Sequence, residues 1–329
     1  MKENLIKQYN DLNNSFKKIL VFHLGISAGF FSEYNCMIFA MLYCLQHKIQ
    51  FVLYSKDANF KYKDGWTDYF EPFCKSTSFW THKYLNAKYF GPLNLSKLNF
   101  KDINNLKYQA KRFSHSIFAK ISKIFVPYFY TQDLWNEFYN KEMVQQEYDI
   151  PELAIKGDFT HACNRLVEIT WNYNAPTKKN IEELTNNCIV PDKYLSCHIR
   201  GGDKVIEYEL LSVSDYIRAV KQYDYKSVFV LTDDYRIMSE LQDRYPEYNY
   251  YTLCQEYEAG YDNSKFTQTD LELKKQSLLK LFASIEIMNK SEVFIGTKTS
   301  NPSIFMSMYN PGITKGIDCV NGKMEYLLD

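Results

Sequence analysis

The chain has 329 residues, 46% of them hydrophobic, and its 39 basic and 39 acidic side chains leave no net charge. That balance argues against a general nucleic-acid or membrane binder, which carries a basic excess, and the apolar content argues against long disorder. The length exceeds what one core ordinarily serves and predicts two domains of roughly 150 residues each.

The eight cysteines are scattered, with no C-x-x-C pair, and several sit in apolar runs as buried reduced thiols do. Neither a disulfide framework nor a metal site is expected. The first 18 residues are polar and charged rather than leader-like, and no stretch offers the ~18 apolar residues of a membrane span. A cytoplasmic protein with no transmembrane segment is the expectation. The 28 tyrosines and 23 phenylalanines suit sugar-stacking grooves, though an A/T-rich genome produces the same bias and is the weightier cause.

In chain order, residues 3–18 pattern as a short amphipathic helix and 19–23 as a buried strand. The strand runs into Gly25-Ile26-Ser27-Ala28-Gly29, a helical apolar pattern follows from Met37 to Leu45, and 49–54 reads as a second strand. Strand, glycine loop, helix and strand make a βαβ unit. Such a loop can hold an anion on backbone N–H groups at the helix start, but without G-x-G-x-x-G spacing an ordinary tight turn is the better reading. Residues 64–73 are densely aromatic. Trp66 or Tyr69 can stack on a sugar in an acceptor groove, yet a clamp packing this loop onto its domain is favoured. Residues 75–150 read as mostly helical and 158–173 as helix. The polar, proline-bearing stretch 174–180 reads as a linker, separating an N-terminal domain (1–175) from a C-terminal one (181–329).

The second half alternates strictly. Strands are expected at 194–199, 227–231, 248–253 and 292–295, and helices at 213–222, 235–244, 271–289 and 303–309. Alternation implies a parallel sheet with every strand C-terminus on one edge. Three polar clusters converge there: Arg200-Gly201-Gly202-Asp203-Lys204, Thr232-Asp233-Asp234 and Thr297-Lys298-Thr299-Ser300-Asn301. Convergence at that edge is the geometry of a ligand crevice. Arg200 offers a planar fork of donors suited to phosphate, and the glycines let backbone approach a ligand closely.

His198-Ile199-Arg200-Gly201-Gly202-Asp203-Lys204-Val205, the strand ending Thr232-Asp233-Asp234 and the late Gly296-Thr297-Lys298-Thr299-Ser300-Asn301 resemble, in that order, the motifs of the GDP-fucose-dependent fucosyltransferases. The α1,6 enzymes are the nearest match and the α1,2 enzymes are related. The resemblance spans most of 190–305 and, more faintly, 19–54. It implies a GT-B-like α/β fold of two Rossmann-type domains whose parallel sheets face across a cleft. It further implies inverting transfer of fucose from GDP-fucose to a glycan acceptor, with no cofactor and no essential metal. Under the resemblance Arg200 binds the β-phosphate and His198 lies beside the nucleotide. Lys204, Thr299, Ser300 and Asn301 surround the diphosphate, Asp203 holds the loop or binds the donor, Asp233 belongs to the donor-binding set, and Gly29 lets the first domain close over it. Glu207 is the expected general base, with Glu209 as fallback. Two departures stand out. The family's second arginine is Gly201, and its guanine-reading acidic residue falls near Ser284, leaving Glu286 or Asp270 to substitute. A different nucleotide-sugar donor, or a non-catalytic nucleotide- or sugar-binding protein on the same fold, are the competing readings.

Overall fold

The computed structural model describes residues 2–25, 28–86, 102–125, 128–201 and 211–319, together with Gly322 and Tyr326. In the N-terminal half, β1 (Lys18–His23) lies between β2 (Ile49–Tyr54) and β3 (Tyr128–Tyr130), both parallel to it. A small antiparallel pair, β4 (Tyr148–Ile150) and β5 (Ile155–Gly157), follows. The C-terminal half holds β6 (Leu195–His198), β7 (Ser227–Leu231), β8 (Asn249–Tyr251), β9 (Val293–Gly296) and β10 (Thr314–Gly316). They form a five-stranded sheet in the order β10-β9-β6-β7-β8, with every pairing parallel. The expected α/β architecture of two parallel sheets is present.

The alternating second half matches its expectation almost element for element, because buried parallel strands are short apolar runs that the pattern marks cleanly. The first half departs more. Within 75–150 the chain forms β3 and β4 as well as the Ile103–Phe125 helix. Both strands are three residues long, too short for a period to show. Residues 174–180, expected as a linker, instead open the Ala175–Asn186 helix. The Asn174 side chain caps it by accepting from the Thr177 N–H at 3.0 Å, and Pro176 sits in its first turn. Asn and Pro are helix-start residues as much as loop residues, and here the start is what they mark.

The two halves share a core. The Phe30–Gln46 helix is apolar nearly all round and correspondingly buried, with Tyr34, Met37, Ile38, Phe39, Ala40 and Met41 among its covered side chains. It packs on the Phe159–Thr170 helix and on Asn301–Tyr309 from the other half. Tyr34 Oη and Thr170 Oγ1 are 2.6 Å apart, and the Asn35 side chain donates to the Asn301 carbonyl at 3.1 Å. Aromatic rings bridge the halves: Phe305 lies 4.7 Å from Phe31 and 4.4 Å from Trp171, and Phe282 lies 5.0 Å from Phe30. Pairs at these separations contribute about 0.5–1.5 kcal/mol each beyond the area they bury. The aromatic stretch 64–73 belongs to this core, with Trp66, Tyr69, Phe70 and Phe73 all buried. Trp66 and Tyr69 are core side chains, not groove walls.

Candidate functional site

A cleft of about 760 Å³ opens where the C-terminal edge of the larger sheet meets the loop after β1. His198 and Arg200 reach it from the end of β6, Thr232 and Asp233 from the end of β7, and Asn301 and Pro302 from the helix after β9. Ala28, Gly29 and the first turn of the Phe30–Gln46 helix face them from the N-terminal half. Right-handed parallel crossovers put these strand ends together, so residues a hundred positions apart become neighbours.

Glycine requirements shape both walls. Gly25 has φ +82°, and a Cβ there would stand 2.6 Å from the Ala58 Cβ. Its loop is tied back by Glu33, whose carboxylate accepts from the Gly25 and Ala28 N–H groups at 3.3 and 3.1 Å. At Gly201 a Cβ would fall 2.5 Å from the Asp234 Cβ. An arginine at 201, as in the related motif, therefore has no room unless the end of β7 moves. Gly29 needs glycine for neither reason, since its Cβ would meet only the Tyr261 hydroxyl, 4.0 Å away across the cleft.

His198 is buried and its Nδ1 lies 2.6 Å from Ser300 Oγ, with Ser303 Oγ at 3.4 Å. Burial, and then the neighbouring Arg200 guanidinium, pull its pKa down to about 3. The ring is therefore a neutral hydrogen-bonding group at physiological pH and cannot serve as a general acid there. Ser300 turns its hydroxyl to that ring, and Thr299 sets its own 3.3 Å from Thr297 Oγ1. Asp233 is a clasp: its carboxylate accepts from the Gly201 N–H at 2.8 Å and the Tyr261 N–H at 3.0 Å. It holds the loop after β6 against the loop before the Asn263–Gln268 helix. Asp234 caps the Tyr235–Arg244 helix and engages the Arg236 side chain, which keeps its carboxyl below the usual range.

The N-termini of two helices, Phe30–Gln46 and Asn301–Tyr309, reach the cleft without a capping side chain of their own. Helix N-termini of this kind favour anions through their dipoles and backbone N–H groups, although Pro302 contributes none and the Glu33 carboxylate already occupies part of the first one. Arg200 adds a full charge at the same place.

The far end of the cleft was not anticipated. It is walled by Thr252, Cys254, Tyr257 and Glu258 from the loop after β8, and by Lys280 and Ser284 of the Leu271–Asn289 helix. Lys280 and Glu258 are ion-paired, and Glu258 also accepts from the Gln255 N–H at 2.7 Å. No motif announced this loop, although the polar stretch before Leu271 interrupts an otherwise strict alternation. The two carboxylates considered as substitutes near Ser284 lie elsewhere. Glu286 accepts from Trp171 Nε1 at 2.9 Å and from the Tyr173 and Tyr309 hydroxyls, and Asp270 caps its helix through the Glu272 N–H. Asp203, Lys204, Glu207 and Glu209 lie outside the described residues.

No family model matches the chain, and no curated protein matches it in sequence. Among solved structures, a NodZ α1,6-fucosyltransferase co-crystallised with GDP is similar at a TM-score of 0.50 and 12% identity, covering 93% of this chain and 96% of that one. The fucosyltransferase NodZ from Bradyrhizobium is similar at a TM-score of 0.50 and 11% identity, covering 91% and 94%. This chain has the NodZ fold. At such identity the likeness is one of fold alone, but it runs nearly end to end in both directions. The GT-B-like arrangement of two parallel sheets across a cleft is thus common to this chain and to NodZ.

Proposed function

We propose that the chain is an inverting, metal-independent glycosyltransferase that moves fucose from GDP-fucose to a glycan acceptor. The observation that carries this is the meeting of Arg200, neutral His198 and two uncapped helix N-termini in one cleft of the NodZ fold. In this reading the diphosphate sits between the helix starts, and Arg200 meets the charge that builds on it as the sugar departs. Asn301 donates to its oxygens, with Thr299 and Lys204 beside them. His198 and Ser300 shape the wall behind it, Asp203 and Asp233 keep the loop closed, and Gly29 gives the donor room against the N-terminal half. An acceptor hydroxyl attacks the sugar's C1 from the face opposite the phosphate and loses its proton to Glu207, or else to Glu209. We place the enzyme in the cytoplasm; no described helix is long and apolar enough to cross a membrane.

A second reading, transfer from another nucleotide sugar, is favoured by one feature. Neither Glu286 nor Asp270 lines the cleft, and Glu258, which does, is engaged by Lys280. A thermal-shift panel of GDP, UDP, ADP, CMP and their sugars decides between the two. GDP and GDP-fucose at ~100 times their dissociation constant are expected to stabilise the fold by ~2.7 kcal/mol, with or without EDTA. A shift with UDP compounds alone would assign the donor differently, and loss of the GDP shift in EDTA would bring a metal into the site. Binding of GDP-fucose with neither transfer nor hydrolysis would make this a binding protein.

A further inference from the structure

We propose that Ser300 and Ser303 act together as positioning residues, fixing the tautomer of His198 so that its Nε2–H is offered to the cleft as a neutral hydrogen-bond donor. The serines come from the start of the helix after β9, and the histidine from the end of β6. Ser300 Oγ lies 2.6 Å from His198 Nδ1, and Ser303 Oγ lies 3.4 Å from the same atom. All three residues are buried, Ser303 fully.

Counting donors and acceptors places the proton. Each serine hydroxyl carries a hydrogen that needs an acceptor once water is excluded. Among the described residues, neither hydroxyl has a hydrogen-bond partner other than His198 Nδ1. A bare Nδ1 accepts from both, closely from Ser300 and more weakly from Ser303. A protonated Nδ1 would donate to Ser300 and leave both hydroxyl hydrogens buried without an acceptor, which is the expensive arrangement. The ring holds a single proton at neutral pH, because burial and then the Arg200 guanidinium pull its pKa down to about 3. With Nδ1 bare, that proton is on Nε2. Nε2 has no hydrogen-bond partner among the described residues, and His198 lines the cleft. Unlike Nδ1 of His23 and Nδ1 of His82, it is not sealed from its surroundings.

Two local features serve this one nitrogen. Ser300 is the N-cap of the Asn301–Tyr309 helix, where a serine hydroxyl ordinarily accepts from the helix's first N–H groups, yet it makes no such bond. It is turned to the ring instead. Ser303 has room beside the ring because residue 296 is glycine: a Cβ there would stand 2.4 Å from Ser303 Oγ. An N–H held in this way suits an anionic oxygen, and its use on a phosphoryl group rests on reading the cleft as the nucleotide-sugar site. It complements Arg200, since it is directional, adds no charge and is oriented before the ligand arrives.

The test is a long-range proton–nitrogen correlation spectrum of the full chain with 15N-labelled histidine at pH 7, which reads each ring's tautomer from its two nitrogens. His198 is one of six histidines, and the signals lost in His198→Gln assign it. The wild-type ring is expected as the Nε2–H tautomer. An Nδ1–H tautomer or an imidazolium overturns the proposal. Ser300→Ala with Ser303→Ala should move the ring to Nδ1–H or to a mixture, whereas Ser300→Thr, which keeps a hydroxyl, should hold the wild-type pattern. Circular dichroism checks the double variant, and Ser300→Ala alone, which removes no cap hydrogen bond, replaces it if it does not fold. An unchanged tautomer without the serines overturns their role. By calorimetry the double variant should bind GDP about tenfold or more weakly, as loss of a hydrogen bond to a charged group does. A moved tautomer with unchanged GDP affinity would overturn the offer of Nε2–H to the ligand. If the wild type binds no GDP, the reading of the cleft as a nucleotide-sugar site fails, while the spectra still decide what the serines do.

Discussion

Strands β1 and β6 hold matching places, each inside its own parallel sheet, and each ends in a buried histidine, His23 or His198. Their surroundings are opposite. His23 Nε2 lies 2.8 Å from an Asp57 carboxylate oxygen, so that nitrogen carries the proton it donates. Around it stand the rings of Tyr54 and His82, and none of these side chains lines the cleft. His198 instead shares a hydroxyl with Ser300 and sits beside a guanidinium, at the cleft wall. One strand end closes its histidine against a carboxylate, and the other sets its histidine beside a hydroxyl and a guanidinium. The same strand-loop-helix construction thus buries one histidine away from the cleft and sets the other at its wall, while the loop after β1 reaches the cleft through Ala28 and Gly29. What distinguishes them is the residue that follows or faces the histidine, not the fold.

The strongest way to break this contrast lies at the end of β6. If Glu207 takes the acceptor's proton, Glu207→Gln should lower transfer by ~10²–10⁴-fold with donor affinity little changed. Glu209→Gln is its partner measurement. Collapse in Glu209→Gln alone would move the role by two residues, and normal rates in both would remove the base from this loop. Next in size, Arg200→Ala should lower transfer by ~100-fold or more in a folded protein, as loss of a preorganised charge does. The matching change at the end of β1, Asp57→Asn, should spare transfer and instead lower stability by about 1–3 kcal/mol, because it weakens the acceptor of a buried donor. Transfer kinetics and urea melts on the pair read both numbers. If Asp57→Asn cripples transfer while Arg200→Ala does not, the assignment of the two strand ends is reversed.

How far the sequence reached follows the same division. In the second half, apolar runs such as 227–231 and the polar clusters that end them made strands, helices and the converging edge legible. Parallel strands are buried on both faces and their loops carry the chemistry. The opening βαβ unit and the packing role of Trp66, Phe70 and Phe73 were legible too, through dense apolar spacing. What failed was short or contextual. β3 and β10 are three-residue strands that exist because β1 and β9 offer a free edge, and Asn174 with Pro176 signals loop and helix start equally well. The loop carrying Tyr257 and Glu258 has no period and no motif, and only tertiary packing brings it to Lys280. Glu286 looked available for a ligand by its position in the chain, yet Trp171, Tyr173 and Tyr309 hold it, and all three rings come from outside its own helix.

The smallest expected effect isolates His198 and fixes the sign of its contribution. Its pKa in the folded protein is about 3, lowered by burial and then by Arg200, whereas an unfolded histidine titrates near 6.5. Above pH ~6.5 the ring is neutral in both states and its contribution to stability is complete. As pH falls below that value the unfolded chain binds a proton that the folded one refuses, so the unfolded state gains and stability drops. The loss has a slope of up to about 1.4 kcal/mol per pH unit and continues towards the folded pKa. Other groups titrate in the same range, so the measurement is a difference: urea melts of wild type and His198→Gln at pH 7 and pH 5. Glutamine can still meet the Ser300 hydroxyl but binds no proton. The wild type's advantage over the variant should therefore shrink between pH 7 and pH 5. A constant difference would mean that His198 accepts its proton in the folded state as easily as in the unfolded one, and the cleft wall would then carry more positive charge in acid than the neutral ring allows.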